Sequence, residues 1–325
     1  MLYFRIKDGL DKDKKIKFKI VDKQDKPVTD KTVIEYVKKL VIPPAYNDVT
    51  IFYEKSPKIL FQGFDDKGRL QQIYSQSHKK MASKKKFCYL RDFGKFLPKL
   101  EKDIEKYINL NKISKDKLIA IIIKVVMICG FRIGNLKYQK LYGSFGISNI
   151  FKSHITNKNG LMIIKFIGKK GVINECEIKN KTLITEINSL ISNKQHKDYV
   201  FTYKDDNVEK VITALDINKW LKSYHENITS KMFRTFDTNV LFIEYMKNKE
   251  EPVALTTNKR KKNIIEALKV ISCQINNTPA ICKKEYLHID ILNLYLENPK
   301  KFKKYFFKCN NSRKCFLDFL EDYCK

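Results

Sequence analysis

Apolar residues in the first eighty positions come in short runs rather than at helical spacing: Leu2–Ile6, Lys15–Ile20, Thr50–Tyr53, Lys58–Phe61 and Leu70–Tyr74. Runs of this length, separated by turn clusters such as Asp65-Asp-Lys-Gly68, predict the strands of a small, mostly β domain. The pattern then stops. Ser77–Lys86 is polar and basic with no aliphatic periodicity, which predicts an interdomain linker that also touches phosphates. The boundary accordingly falls near residue 82, dividing the chain into 1–81 and 82–325.

From Phe87 onward the period is that of helices. Phe87–Leu110 carries apolar residues at helical spacing with a kink expected at Pro98, and Ser114 is placed to cap a helix running to about Cys129. Gly130 and Gly134 bracket Arg132, so this arginine stands where a helix ends and the backbone can bend. Leu161–Ile167 and Val172–Ile178 alternate as strands, and Gly168-Lys-Lys-Gly171 between them predicts a hairpin with Lys169 at its tip. Helices follow at about 181–192, 215–226, 232–247, 259–273, 280–296 and 312–323. The expected class is α+β: a small, mostly β N-terminal domain, then a larger, mostly α domain interrupted by a short hairpin.

Charge changes the picture from a fold to a partner. The 325 residues include 65 Lys plus Arg against 36 Asp plus Glu, a net charge of +29 spread along the chain rather than confined to a tail. Such a chain is held at a polyanion by counterion release, and nucleic acid is the commonest polyanion to need it. An A/T-rich coding bias, which also favours Lys, Ile and Asn, is the competing explanation of the charge. The longest apolar run, Leu118–Cys129, is interrupted by Lys124 and is too short to span a bilayer. The N-terminus lacks a signal-peptide core, so an intracellular protein is expected. Eight cysteines without a C-x-x-C pair predict free thiols in a reducing compartment and no zinc site. The five histidines lack metal-ligand spacing and read as structural or surface residues.

Candidate chemistry lies in four short motifs. Phe131-Arg-Ile-Gly-Asn135, Phe166-Ile-Gly-Lys169 and Phe233-Arg-Thr235 each present one cation, and Asn277-Thr-Pro-Ala-Ile-Cys-Lys-Lys-Glu-Tyr286 ends on a tyrosine one turn after two lysines. A phenol has an ordinary pKa of about 10, so it attacks phosphorus well only where cations favour its anion and neutralise the phosphate. Each residue also has a bland reading: Tyr286 as core, Arg132 as a cation at a helix C-terminus, Lys169 as a solvated turn, Arg234 as the partner of a carboxylate such as Asp237. Independent bland roles for all of them would be a coincidence.

In this order, and with Gly63-Phe-Asp-Asp-Lys-Gly-Arg69 upstream, the motifs closely resemble the poxvirus-type DNA topoisomerase IB family over almost the whole chain. The resemblance implies that Tyr286 is the nucleophile and becomes joined to a DNA 3′ phosphate, with a 5′ hydroxyl as leaving group. It implies that Arg132 and Arg234 hold the nonbridging oxygens and that Lys169 is general acid toward the departing oxygen, relayed with Arg132. Lys231 and Asn239, flanking Arg234, match positions of smaller effect, and Lys283 would touch DNA. Religation reverses the cleavage, so no cofactor or nucleotide is required, with Mg²⁺ at most stimulating turnover. The partner implied is double-stranded DNA, clamped between the two domains by a monomer. With the composition, the resemblance also suggests an A/T-biased viral origin such as an insect poxvirus, acting in host cytoplasm and packaged in virions.

Three positions depart from the family pattern. Asn277 stands nine residues before the tyrosine where the family has histidine, and its amide offers a neutral hydrogen bond in place of an imidazolium. Among residues matching a base-reading surface, namely Gln71, Gln72, Tyr74, Asn135, Lys137 and Tyr138, Gln72 replaces an aromatic and Asn135 a lysine. Gln and Asn suit adenine edges where lysine suits guanine, so an altered or relaxed site preference is expected. Two rival functions share these features. A tyrosine site-specific recombinase uses the same nucleophile but assembles four protomers, with Asn310–Lys325 available for exchange; a non-catalytic DNA-binding protein has the charge without the nucleophile.

Overall fold

The computed structural model describes residues 1–10, 13, 16–55, 57–206 and 208–325. They form two compact units, Met1–Lys86 and Phe87–Lys325. In the first, β1 (Leu2–Leu10), β2 (Ile16–Val21), β3 (Asn47–Phe52), β4 (Ile59–Phe64) and β5 (Leu70–Tyr74) make an antiparallel sheet in the order β2-β1-β3-β4-β5. All five expected strands are present; Lys15, at the start of the second, lies outside the described residues. One helix was not expected. Asp30 accepts from the Thr32 amide at 2.8 Å and starts α1 (Lys31–Lys39), whose Tyr36 and Val37 pack on Val49, Ile51 and Phe61 of the sheet. The turn before β5 is an Asx turn: Asp65 Oδ1 accepts from the amides of Lys67 and Arg69, both at 3.0 Å.

The expected linker is a correction. Residues 77–86 belong to α2 (Gln76–Ile108), which continues through Pro98. Lysine is a good helix former, and the absence of periodicity meant only that these turns bury no apolar face. Burial begins at Phe87 and then follows the helical repeat through Leu90, Phe93, Leu97, Leu100, Ile104 and Ile108. The two compact units divide there, at Lys86/Phe87.

In the second unit, α3 (Lys115–Cys129) is capped by Ser114, whose side chain accepts from the Lys117 amide, and is buried on almost every side. The longest apolar run is thus the central core helix, and no described helix is long and apolar enough to cross a membrane. α4 (Leu136–Tyr142) follows with no buried residue. β6 (Ile155–Lys158), β7 (Leu161–Ile167) and β8 (Ile173–Ile178) form a three-stranded antiparallel sheet, so the expected hairpin gains a third strand. After α5 (Lys181–Ile191), the strands β9 (Thr202–Asp205) and β10 (Val208–Val211) pair in a further hairpin.

Helices α6 (Ala214–Lys222), α7 (Lys231–Lys247) and α8 (Thr257–Gln274) complete the body of the unit. The helix expected over 280–296 is interrupted. Thr278 and Pro279 start a single turn, α9 (Pro279–Ile281), which widens into a π-helical turn, Cys282–Tyr286, before α10 (Ile289–Glu297) begins at its cap His288. α11 (Pro299–Phe306) and α12 (Ser312–Tyr323) follow, and α12 packs on α7 and α11.

Six of the eight cysteines are paired, which overturns the expectation of free thiols. The bridges are Cys88–Cys324, Cys129–Cys176 and Cys309–Cys315, with Cα–Cα separations of 5.6, 5.6 and 5.9 Å. Partners 236 and 47 positions apart leave no spacing signal, because the tertiary fold alone brings them together. The inference from free thiols to a reducing compartment loses its basis.

Candidate active site

Four segments converge around Tyr286. The first leaves α3 through Gly130, a left-handed cap at φ 61°, and carries Arg132. Its path is fixed by buried polar side chains: the Gly134 amide donates to Ser148 Oγ at 3.2 Å and the Gly146 amide to Asn149 Oδ1 at 2.8 Å. A Cβ at Gly134 would lie 1.7 Å from Asn149 Oδ1, so only glycine lets the two strands of this loop close. The second segment is α7, which supplies Arg234 and, five residues on, Asn239. The third is Ile275–Asn277, leaving α8. The fourth is the π turn, closed by the Leu287 amide on the Cys282 carbonyl at 3.2 Å.

Asn239 clamps this turn. Its Nδ2 donates to the Tyr286 carbonyl at 2.9 Å and the Thr235 carbonyl at 2.7 Å, while its Oδ1 accepts from the His288 amide at 2.8 Å. The widened turn, a form common at functional sites, is therefore held at the tyrosine's own carbonyl and at the amide two residues beyond it. Sequence reasoning reached Asn239 only as a neighbour of Arg234; its backbone-clamping contact, 47 residues away, has no local signature.

Arg132 Nη2 donates to Asn277 Oδ1 at 3.0 Å and to Tyr286 Oη at 3.3 Å. The Arg234 guanidinium carbon lies 5.2 Å from the centre of the Tyr286 ring. Burial alone would raise the Tyr286 pKa, but the Arg234 and Arg132 charges, together with the polar side chains of Arg234 and Asn277 beside the phenol, outweigh it and the net shift is downward. Arg234 is only 4% exposed; its Nη2 donates to the Ile275 carbonyl at 2.7 Å, while its Nε and Nη1 have no partner. Asn277 Nδ2 is likewise buried and unpartnered. The expected bland partner fails, since Arg234 forms no salt bridge with Asp237 or any other described carboxylate, and burial pushes Asp237 itself up to about 7. Buried N–H groups are almost always paired, so three left open beside one phenol mark a place for an anion with several acceptor oxygens.

Two family models match the chain: "Eukaryotic DNA topoisomerase I, catalytic core" over residues 75–312, and "Bacterial DNA topoisomerase IB, N-terminal domain" over residues 17–65. DNA topoisomerase 1B of Acanthamoeba polyphaga mimivirus is 33% identical over 276 residues, covering 83% of this chain and 82% of the relative. DNA topoisomerase 1B of vaccinia virus (strain Western Reserve) is 25% identical over 280 residues, covering 82% and 84%. This chain belongs to the type IB DNA topoisomerases.

The topoisomerase gathers Tyr286, Arg132, Arg234, Asn277 and Asn239 into one cluster, but not every candidate joins it. Lys169 stands exposed on the hairpin turn, with no hydrogen bond or ion pair to the cluster. Lys231, at the start of α7, and Lys283, on the π turn, are also exposed. Asn135 caps α4, its Oδ1 accepting from the Tyr138 amide at 3.2 Å, and Lys137 and Tyr138 lie exposed on that helix. In the N-terminal unit, Gln71 Nε2 donates to Asp65 at 3.0 Å, and Gln72 bridges Gln62 and the Tyr74 hydroxyl at 3.0 and 2.8 Å. A sequence-only reading had no means of seeing that Gln72 and Asn135 are already engaged within the protein.

Proposed function

We propose that this topoisomerase cleaves one strand of duplex DNA by attack of Tyr286 Oη on a phosphodiester phosphorus. The bond to the 5′ oxygen breaks, the 3′ phosphate stays on the tyrosine, and the phenol proton is lost to water from the half-exposed site. The Nε and Nη1 of buried Arg234, left without a hydrogen-bond partner beside the phenol, carry this reading: a phosphate whose phosphorus lies within reach of Tyr286 Oη would bring nonbridging oxygens to fill them. Arg132 holds the other oxygen and stabilises the phenolate, and Lys169, brought in by its hairpin, gives a proton to the departing 5′ oxygen, a task worth ~10²- to 10⁴-fold in rate. Lys231 and Lys283 contact flanking phosphates, and Asn239 positions the nucleophile.

One phosphate ester replaces another, so the step runs back without a nucleotide. Between the two steps the free end turns about the intact strand, and supercoils of either sign relax. The five-stranded unit serves as a second DNA-holding domain, with Gln71, Gln72 and Tyr74 on one unit and Asn135, Lys137 and Tyr138 on the other as base-reading candidates. The tyrosine-recombinase reading needs a C-terminal element to exchange between protomers. Here α12 packs on α7 of its own chain and Cys324 is bonded to Cys88, which supports a monomer that relaxes DNA. The relatives are viral proteins, and action in a host cytoplasm with packaging in virions belongs to the same proposal.

A duplex labelled internally on the cleaved strand tests the polarity. Label 5′ of the cut is expected to become covalently attached to protein, and the released fragment to accept phosphate from a polynucleotide kinase. Attachment through the fragment's 5′ end would refute the mechanism. Asn277→Ala is expected to slow cleavage less than Arg132→Ala, because Asn277 adds one neutral donor whereas Arg132 brings charge to both phosphate and phenol. An equal or larger loss at Asn277 would contradict that division.

A further inference from the structure

Next to Asn277, the loop after α8 turns on Asn276, a non-glycine residue at φ 50°. Asparagine tolerates this left-handed region, usually by bonding to its own neighbourhood. Asn276 instead bonds outward. Its Nδ2 donates to the Cys129 carbonyl at 3.2 Å, and its Oδ1 accepts from the Glu175 amide at 3.3 Å. Cys129 ends α3, just before Arg132, and Glu175 lies on β8, the returning strand of the hairpin that carries Lys169. The following residue, Asn277, accepts from Arg132. The Cys129–Cys176 disulfide joins the same two segments beside it.

We propose that Asn276 is a positioning residue for proton delivery: by bridging the end of α3 to β8, it fixes the base of the hairpin so that Lys169 reaches the departing 5′ oxygen. The inference rests on Lys169 being the general acid. Lys169 has no contact of its own in the cluster, so its reach is set by where the hairpin is anchored. β7 is tied to the sheet and, through the Ile167 carbonyl, to the Phe145 amide at 2.8 Å. β8 is tied to the catalytic loop by Asn276 and the disulfide. A shift of about 1 Å in a reacting group costs on the order of 10²-fold.

Asn276→Gly isolates the bridge, because glycine keeps the left-handed backbone and removes both side-chain bonds. Assays belong in a dithiol reductant, which opens Cys129–Cys176 to two thiols at the cost of one oxidised dithiol, since the disulfide ties the same strands. Under these conditions single-turnover cleavage is expected to fall about 10²-fold against wild type in the same buffer. Asn276→Asp, which keeps the acceptor for Glu175 and loses the donor to Cys129, should fall less. The decisive substrate carries sulfur in place of the bridging 5′ oxygen: a thiol of pKa about 8.5 leaves as its anion without a general acid. Both Asn276→Gly and Lys169→Ala should then cleave within about threefold of wild type, as expected when only protonation was lost. Rescue of Lys169→Ala but not of Asn276→Gly would overturn the positioning role and leave the general acid in place. No rescue of Lys169→Ala would remove the general acid itself, and the proposal with it. Wild-type cleavage of the ordinary substrate by Asn276→Gly would also overturn it.

Discussion

Tyr286→Phe should abolish relaxation of supercoiled plasmid while leaving the protein folded and bound to DNA. The substitution removes only the Oη and its contact with Arg132 Nη2; the ring beside Arg234 and the backbone carbonyl held by Asn239 remain. Loss of a covalent nucleophile costs about 10⁶-fold where its partners cannot substitute for it. No second phenol stands in the cluster among the described residues, and the thiol of Cys282, on the same π turn, is buried and pushed up to about 11, so it is no substitute at neutral pH. Relaxation without ATP and in EDTA, followed on agarose, reads the activity. A denaturing gel reads the covalent adduct, and a mobility shift shows that binding persists. Adduct formation by the Phe variant would place the nucleophile elsewhere and dismantle the site as drawn.

What was legible in the sequence, and what was not, follows from the range of each signal. Strands of the first unit alternate or run apolar over five or six residues, and the caps Ser114 and Gly130 sit beside the helix they end, so local reading finds them. α11 was missed because only Phe302 and Phe306 are buried on it, too few for a period to show among four lysines. α1 was missed because Val33, Ile34 and Val37 suit a strand as well as a helix, and the Asp30 cap alone decides between them. The proposed catalytic cluster was read from motif order, not from contacts. Of the residues that hold it in place, Asn149 bonds within its own turn, whereas Asn239, Ser148 and Asn276 act on backbone atoms of other segments. Two of the disulfides join side chains 236 and 47 positions apart, which no spacing announced. Lys169 is the reverse case: prominent in the sequence, and exposed on its turn outside the cluster.

The strongest separation between function and stability is expected at Arg234. Each unpaired donor aimed at a developing charge is worth roughly 10²- to 10³-fold, so Arg234→Met should slow cleavage by about 10⁴-fold, with Nε and Nη1 both lost to the phosphate. Arg234→Lys keeps a charge but not the planar fork, and should remain at least about 10²-fold down. Stability should move the other way or not at all. In the free protein the guanidinium is buried and has one backbone partner, the Tyr286 ring and no described carboxylate; burial is the main cause that lowers its pKa, with the Tyr286 phenol opposing and the Arg132 charge adding to it. An apolar side chain of similar length relieves that desolvation, and replacements of this kind are commonly neutral or stabilising by about 1–4 kcal/mol. The Met variant should therefore melt at the wild-type temperature or above it. Its Tyr286 should titrate higher than in wild type, because the larger of the two charges lowering that phenol is gone. A variant that lost activity and several degrees of melting temperature together would show Arg234 to be a structural residue. Loss of activity with unchanged or raised stability would identify two buried donors kept open, at a cost to the folded state, for a phosphate that arrives with the DNA.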